Sequence, residues 1–118
     1  MKELQSIQGK LKAPKSQRNS YGKYNYRSCE DILEAVKPLL TEYNSHLVIS
    51  DEMVLVGDRI YCKATATITN STGDKIEATG YARESESKKG MDSSQLTGAT
   101  SSYARKYALN GLLAIDDT

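Results

Sequence analysis

The sequence predicts an α+β domain, a three-stranded antiparallel β-sheet with helices packed on it in the order α-α-β-β-β-α. Three observations predict it. Leu4, Ile7 and Leu11 recur at helical spacing, as do Ile32, Val36, Leu39, Leu40 and Tyr43. Ile60, Cys62, Ala64, Ala66 and Ile68 alternate with Tyr61, Lys63, Thr65, Thr67 and Thr69, the period of a half-buried strand. After a turn the alternation returns in Ile76, Ala78, Gly80 and Ala82. A length of 118 residues suits one domain.

The first helix spans residues 2–12, a stripe too short to be stable alone. Residues 13–23 hold Pro14, Ser16, Asn19, Ser20 and Gly22 among basic residues and read as a loop. Tyr24-Asn25-Tyr26 reads as a short extended lead into the second helix. Ser28 is that helix's expected N-cap, with Asp31 three residues on and Glu30 in the first turn. The helix should run to about Asn44, with a kink at Pro38, where a hydrogen bond is lost.

His46 to Val56 is strand-like, but Ser50-Asp51-Glu52 interrupts the apolar run and predicts a bulge or break. Gly57-Asp58 is a turn, and 70–74 (Asn-Ser-Thr-Gly-Asp) is another. The small inward residues of the third strand imply a helix packed very close to the sheet. Residues 85–91 form a polar loop. Asp92 then caps a helix to about Leu113, with Gln95 completing a capping-box pattern. These elements divide the chain into a basic N-terminal helix and loop, 1–23, and an α+β core, 24–118.

Composition narrows the function. Hydrophobic residues make up 38% of the chain and Phe is absent, so the large aliphatic core is thin. A thin core in a small domain calls for help from oligomerisation or a ligand. No apolar run is long enough to span a membrane, and the start lacks the apolar stretch of a signal peptide, so a cytoplasmic protein is expected. Cys29 and Cys62 have no metal-site spacing and suit a reduced compartment. The net charge of +1 conceals an asymmetry: residues 1–27 carry +6 and residues 28–118 carry −5. A basic arm on a mildly acidic body suits a polyanion, or else a solvated, mobile terminus.

Enzyme chemistry finds little support. A nucleophile would have to pair Cys62 or Cys29 with the single histidine, His46. No G-x-x-x-x-G-K-[ST] run exists, which excludes ATP binding by that loop. The acidic pairs Glu84/Glu86 and Asp116/Asp117 read as surface solvation, and no zinc or calcium ligand set is present.

Nucleic-acid chemistry has more material. A turn centred near Thr72 sets Tyr61 opposite Arg83 and Lys63 opposite Tyr81 on the outward face. Two tyrosines and two cations there suit stacked bases and phosphates, or an ordinary sheet face with cation–π pairs, and the residues leave both open. On the last helix Gly98, Ser101, Ser102, Arg105 and Leu109 share one face, with Lys106 beside it. Small polar residues would let a phosphate chain approach, and Arg105 could grip it with its fork, unless it serves a salt bridge. Tyr103 and Tyr107, on the face with Leu96, are expected in the core. Lys88 and Lys89 add charge just before this helix.

Two blocks of residues carry a resemblance. Residues 24–33 (YNYRSCEDIL), running on to Val36-Lys37-Pro38-Leu39-Leu40, form the first. Residues 97–113 (TGATSSYARKYALNGLL), followed by Ile115-Asp116-Asp117, form the second. Together they resemble the ERF (essential recombination function) family of phage and prophage recombinases, which is itself similar to the eukaryotic Rad-type annealing mediators. The resemblance implies ATP-independent binding of single-stranded DNA and annealing of complementary strands in recombination, as a ring or other multimer in the bacterial host's cytoplasm. It implies no catalytic residue, metal or cofactor. By analogy, a host single-strand-binding protein or a phage exonuclease would be partners. Many members carry a C-terminal tail, so this chain is expected to be the core domain.

The resemblance points to Arg105 and Lys106, and less firmly to Arg27. With the bottom-up candidates, the expected DNA-binding set is Arg27, Lys63, Arg83, Lys88, Lys89, Arg105 and Lys106. An annealing protein must hold phosphates and leave base edges free, which favours these cations over the tyrosines. The alternatives are a double-stranded RNA binding module, which shares an α-β-β-β-α order, a small Cys–His enzyme, and a purely structural ring former.

Overall fold

The computed structural model describes residues 1–84 and 93–116, and of residues 93–97 the helical backbone. The elements are α1 (Lys2–Lys10), β1 (Gln17–Asn19), β2 (Tyr24–Tyr26), α2 (Cys29–Glu42), β3 (His46–Val56), β4 (Arg59–Thr69), β5 (Lys75–Arg83) and α3 (Ser93–Leu113). The main sheet is antiparallel in the order β3-β4-β5, so the α+β fold with a three-stranded sheet holds. The segment expected as a loop is corrected: β1 and β2 form a separate hairpin, with Gln17 opposite Tyr26 and Asn19 opposite Tyr24. Its turn is closed by Asn19 Oδ1, which accepts from the Gly22 N–H at 2.8 Å, and Lys23 takes a positive φ of 56°.

The β3–β4 ladder runs without a slip from His46 opposite Thr69 to Val56 opposite Arg59. The break expected at 50–52 is absent. Asp51 occupies a helix-facing position opposite Ala64, and its charge is met by α3 rather than by a distortion of the strand. Gly57, with φ of 64°, takes the first central position of the two-residue turn, where type II′ hairpins use glycine. Between β4 and β5 the observed register is the expected one, with Tyr61 opposite Arg83 and Lys63 opposite Tyr81. Asn70 organises that turn: its Oδ1 accepts from Asp74 N–H at 2.8 Å and Thr72 N–H at 3.1 Å, and its Nδ2 donates to Glu3 of α1 at 3.1 Å.

One face of the sheet is covered. Cys62, Ala64, Ala66 and Ile68 of β4 are buried in the same cluster as Ala104, Ala108, Leu109, Leu112 and Leu113 of α3. Gly80 of β5 sets the separation. A Cβ there would lie 2.5 Å from the Ala104 carbonyl oxygen and 2.5 Å from the Ala108 nitrogen, so only glycine admits the helix this close. Leu4 and Ile7 of α1 and Ile32 and Val36 of α2 complete the core. The α2 cap is the predicted capping box: Ser28 Oγ accepts from Asp31 N–H, and Asp31 accepts from Ser28 N–H. The division expected between 23 and 24 falls in the turn of the β1–β2 hairpin. Asp92 and the Asp92–Gln95 capping box lie outside the described residues and side chains.

Candidate nucleic-acid interface

The cations singled out from the sequence fall on two sides of the sheet. Lys63 and Arg83 project from the open face, away from α3. Lys63 is 3.7 Å from Glu52 of β3 and stands opposite Tyr81, which is half-exposed. Arg27, Arg105 and Lys106 belong to the other side, where α3 runs past the β1–β2 hairpin and the start of α2. Lys88 and Lys89 lie outside the described residues.

A cleft separates the hairpin from α3. Its larger part, about 450 Å³, is lined by Asn19, Tyr24, Asn25 and Tyr26 of the hairpin and by Tyr103, Lys106 and Tyr107 of α3. A smaller hollow of about 200 Å³ continues it past Arg27, Ser28 and Ser102, and both share Tyr26, Tyr103 and Lys106. Arg27 and Lys106 therefore reach one groove. The Lys106 ammonium lies 5.8 Å from the centre of the Tyr26 ring. Arg27 is fixed by donating to the carbonyls of Ala13, at 2.7 Å, and Asp116. Arg18 donates to Asn25 on the same hairpin, and Tyr21 in its turn is fully exposed.

The tyrosines of α3 are not where the sequence predicts. Tyr103 is 51% exposed and Tyr107 40%, with their rings 6.4 Å apart and stacked. Ala104 and Ala108 take the part of α3 that meets Gly80, where the helix backbone lies too close to the sheet for a large side chain. Across the cleft Tyr24 is 52% exposed, with its ring 6.0 Å from that of Tyr26. These four tyrosines are the part of the site that sequence reasoning passed over. The signal available was the match of small helix residues to small strand residues, which leaves no room for an aromatic ring between them.

Arg105 faces Asp51. Its Nε is 3.1 Å from both Asp51 carboxylate oxygens and its Nη2 is 3.0 Å from Oδ2, while Ser101 Oγ donates to the same oxygen at 2.6 Å. Burial alone would raise the Asp51 pKa, but the hydrogen bonds from Arg105 and Ser101 outweigh it and hold the carboxyl below its ordinary value. Hydrogen bonding to Asp51 raises Arg105 in turn. The expected stripe of Gly98, Ser101, Ser102, Arg105 and Leu109 is thus divided: Leu109 is buried in the core, Ser101 and Arg105 meet Asp51, and Ser102 and Gly98 are exposed.

The structure does not bring the Cys62–His46 candidate together. Cys29 and Cys62 are buried, and desolvation pushes both thiols up from their ordinary pKa. His46 and Cys62 stand on opposite faces at opposite ends of the β3–β4 ladder. Among the described residues no group of three acidic, histidine or cysteine side chains could hold a metal ion, and no helix is long and apolar enough to cross a membrane.

The fold and the cleft together define an α+β domain whose basic and aromatic groups converge on one groove beside its long helix. The family model of the ERF superfamily matches residues 1–118, and the chain belongs to that family. It is 65% identical over 114 residues to the Essential recombination function protein of Salmonella phage P22. That match covers 97% of this chain and 54% of the phage protein, so the chain spans about half the length of that relative.

Proposed function

We propose that this chain binds single-stranded DNA and anneals complementary strands in homologous recombination, without a nucleotide cofactor and as a multimer. The observation that carries the reading is the cleft between the β1–β2 hairpin and α3, where Arg27 and Lys106 stand among exposed tyrosines in a member of the ERF superfamily. The relative's name, a recombination function protein, supports DNA as the ligand. Lys106 and Arg27 hold the phosphate chain at the cleft, and Arg105 supports them from the Asp51 side. Lys88 and Lys89, which precede α3 in the sequence, belong to the same proposed DNA-binding set. Lys63 and Arg83 form a second basic patch on the open sheet face.

Assembly has its own support. Met53, Leu55, Val56 and Ile60 are 47–72% exposed at the tip of the β3–β4 hairpin, an apolar group that the described residues leave uncovered. Another copy would bury it.

Fluorescence anisotropy with labelled single-stranded DNA, duplex DNA and duplex RNA tests the binding. Preference for the single strand, weakening as salt rises, is expected. Preference for duplex RNA would contradict the reading. Light scattering tests the assembly: the wild type should be multimeric, and Leu55→Asp with Ile60→Asp should lower its mass.

A further inference from the structure

We infer that the tyrosines of the hairpin–α3 cleft stack on the faces of unpaired bases, so that the site recognises the base as well as the phosphate chain. The inference rests on the single-strand reading above and adds to it a mode of recognition. Four tyrosines line a space of about 450 Å³, within the range of small-ligand sites. Tyr24 and Tyr103, on opposite walls, are each about half-exposed, which leaves ring surface open to a flat partner. Asn19 Nδ2 donates to the Tyr24 hydroxyl at 2.9 Å, which holds that ring to the hairpin. Tyr103 and Tyr107 hold one another in a stacked pair. Lys106, between the two walls, puts a cation where the phosphate of a stacked nucleotide would lie.

This geometry suits annealing. A base stacks through its π-face and pairs through its edge, so a tyrosine under the ring leaves the pairing edge open to a second strand. In a duplex the π-faces already cover one another, and the cleft finds only backbone. Stacking would thereby select single strands without reading sequence, because every base has a face.

The test uses the full chain and two labelled strands of equal length, oligothymidylate and an abasic deoxyribose-phosphate strand, which carry the same phosphates. The wild type should bind oligothymidylate at least about tenfold more tightly, as one or two stacked bases supply. Tyr103→Leu with Tyr107→Leu should abolish that difference and leave abasic affinity unchanged, whereas Tyr103→Phe should retain it. Because the chain has no tryptophan, Tyr103→Trp gives a single reporter in the cleft. Its emission should be quenched by oligothymidylate and not by the abasic strand. Equal wild-type affinity for the two strands would overturn the inference while leaving DNA binding intact. So would discrimination that survives in the double leucine variant. Binding to neither strand would overturn the single-strand reading itself.

Discussion

Arg105 of α3 grips Asp51 of β3 through Nε and Nη2, at 3.0–3.1 Å, and so ties the long helix to an edge strand of the sheet. The Asp51 side chain is 24% exposed and that of Arg105 38%, which places the pair between the surface and the interior. Arg105→Ala should cost about 1–3 kcal/mol, between the ranges for exposed and buried pairs. Asp51→Asn leaves Arg105 its charge and removes its partner. That variant should be less stable and yet bind single-stranded DNA more tightly, since one negative charge beside the cations of α3 is gone. Chemical denaturation and anisotropy on the same preparations check both halves.

The pair also gives stability a pH dependence. The folded-state pKa of Asp51 is depressed below an unfolded value of about 3.9. Its contribution is therefore complete above that value and is lost as pH falls through the folded pKa. The difference in melting temperature between wild type and Asp51→Asn should be constant near neutral pH and should shrink in acid. A difference that persists unchanged in strong acid would remove Asp51 as the source.

Gly80 admits α3 to the sheet, and the backbone atoms a Cβ would strike belong to the helix itself. Gly80→Ala should destabilise the domain by about 1–3 kcal/mol or more, the cost of overpacking where no side chain can rotate away. Gly98 has open space around it, so Gly98→Ala should not destabilise and serves as the control in the same thermal melts.

Much of this was legible in the sequence. The strict alternation of β4 and the turn near Thr72 fixed the β4–β5 register, and the small residues Ala78, Gly80 and Ala82 announced a close helix. The β1–β2 hairpin was missed because its strands are three residues each and carry no apolar periodicity. Asp51 looked like a strand break because its partner, Arg105, lies 54 residues away. In the sequence, the face shared with Leu96 points Tyr103 and Tyr107 inward, but Ala104 and Ala108 beside them take the buried side of the helix.

Lys106 lines both parts of the cleft and Arg105 does not, so the two neighbours should differ in kind. Lys106→Ala should weaken single-strand binding, leave stability nearly unchanged, and reduce the slope of log affinity against log salt by about 0.7, the value of one phosphate contact. Titrations across a salt series measure that slope. An unchanged slope would take Lys106 out of contact with the phosphate chain.

Strand annealing is the central activity proposed for this chain. Two complementary labelled oligonucleotides, mixed with the chain in the absence of ATP and metal, should pair faster than they do alone, and the acceleration should vanish at high salt and in Lys106→Ala. Pairing no faster than the spontaneous rate, at protein concentrations that saturate the single strands, would contradict it.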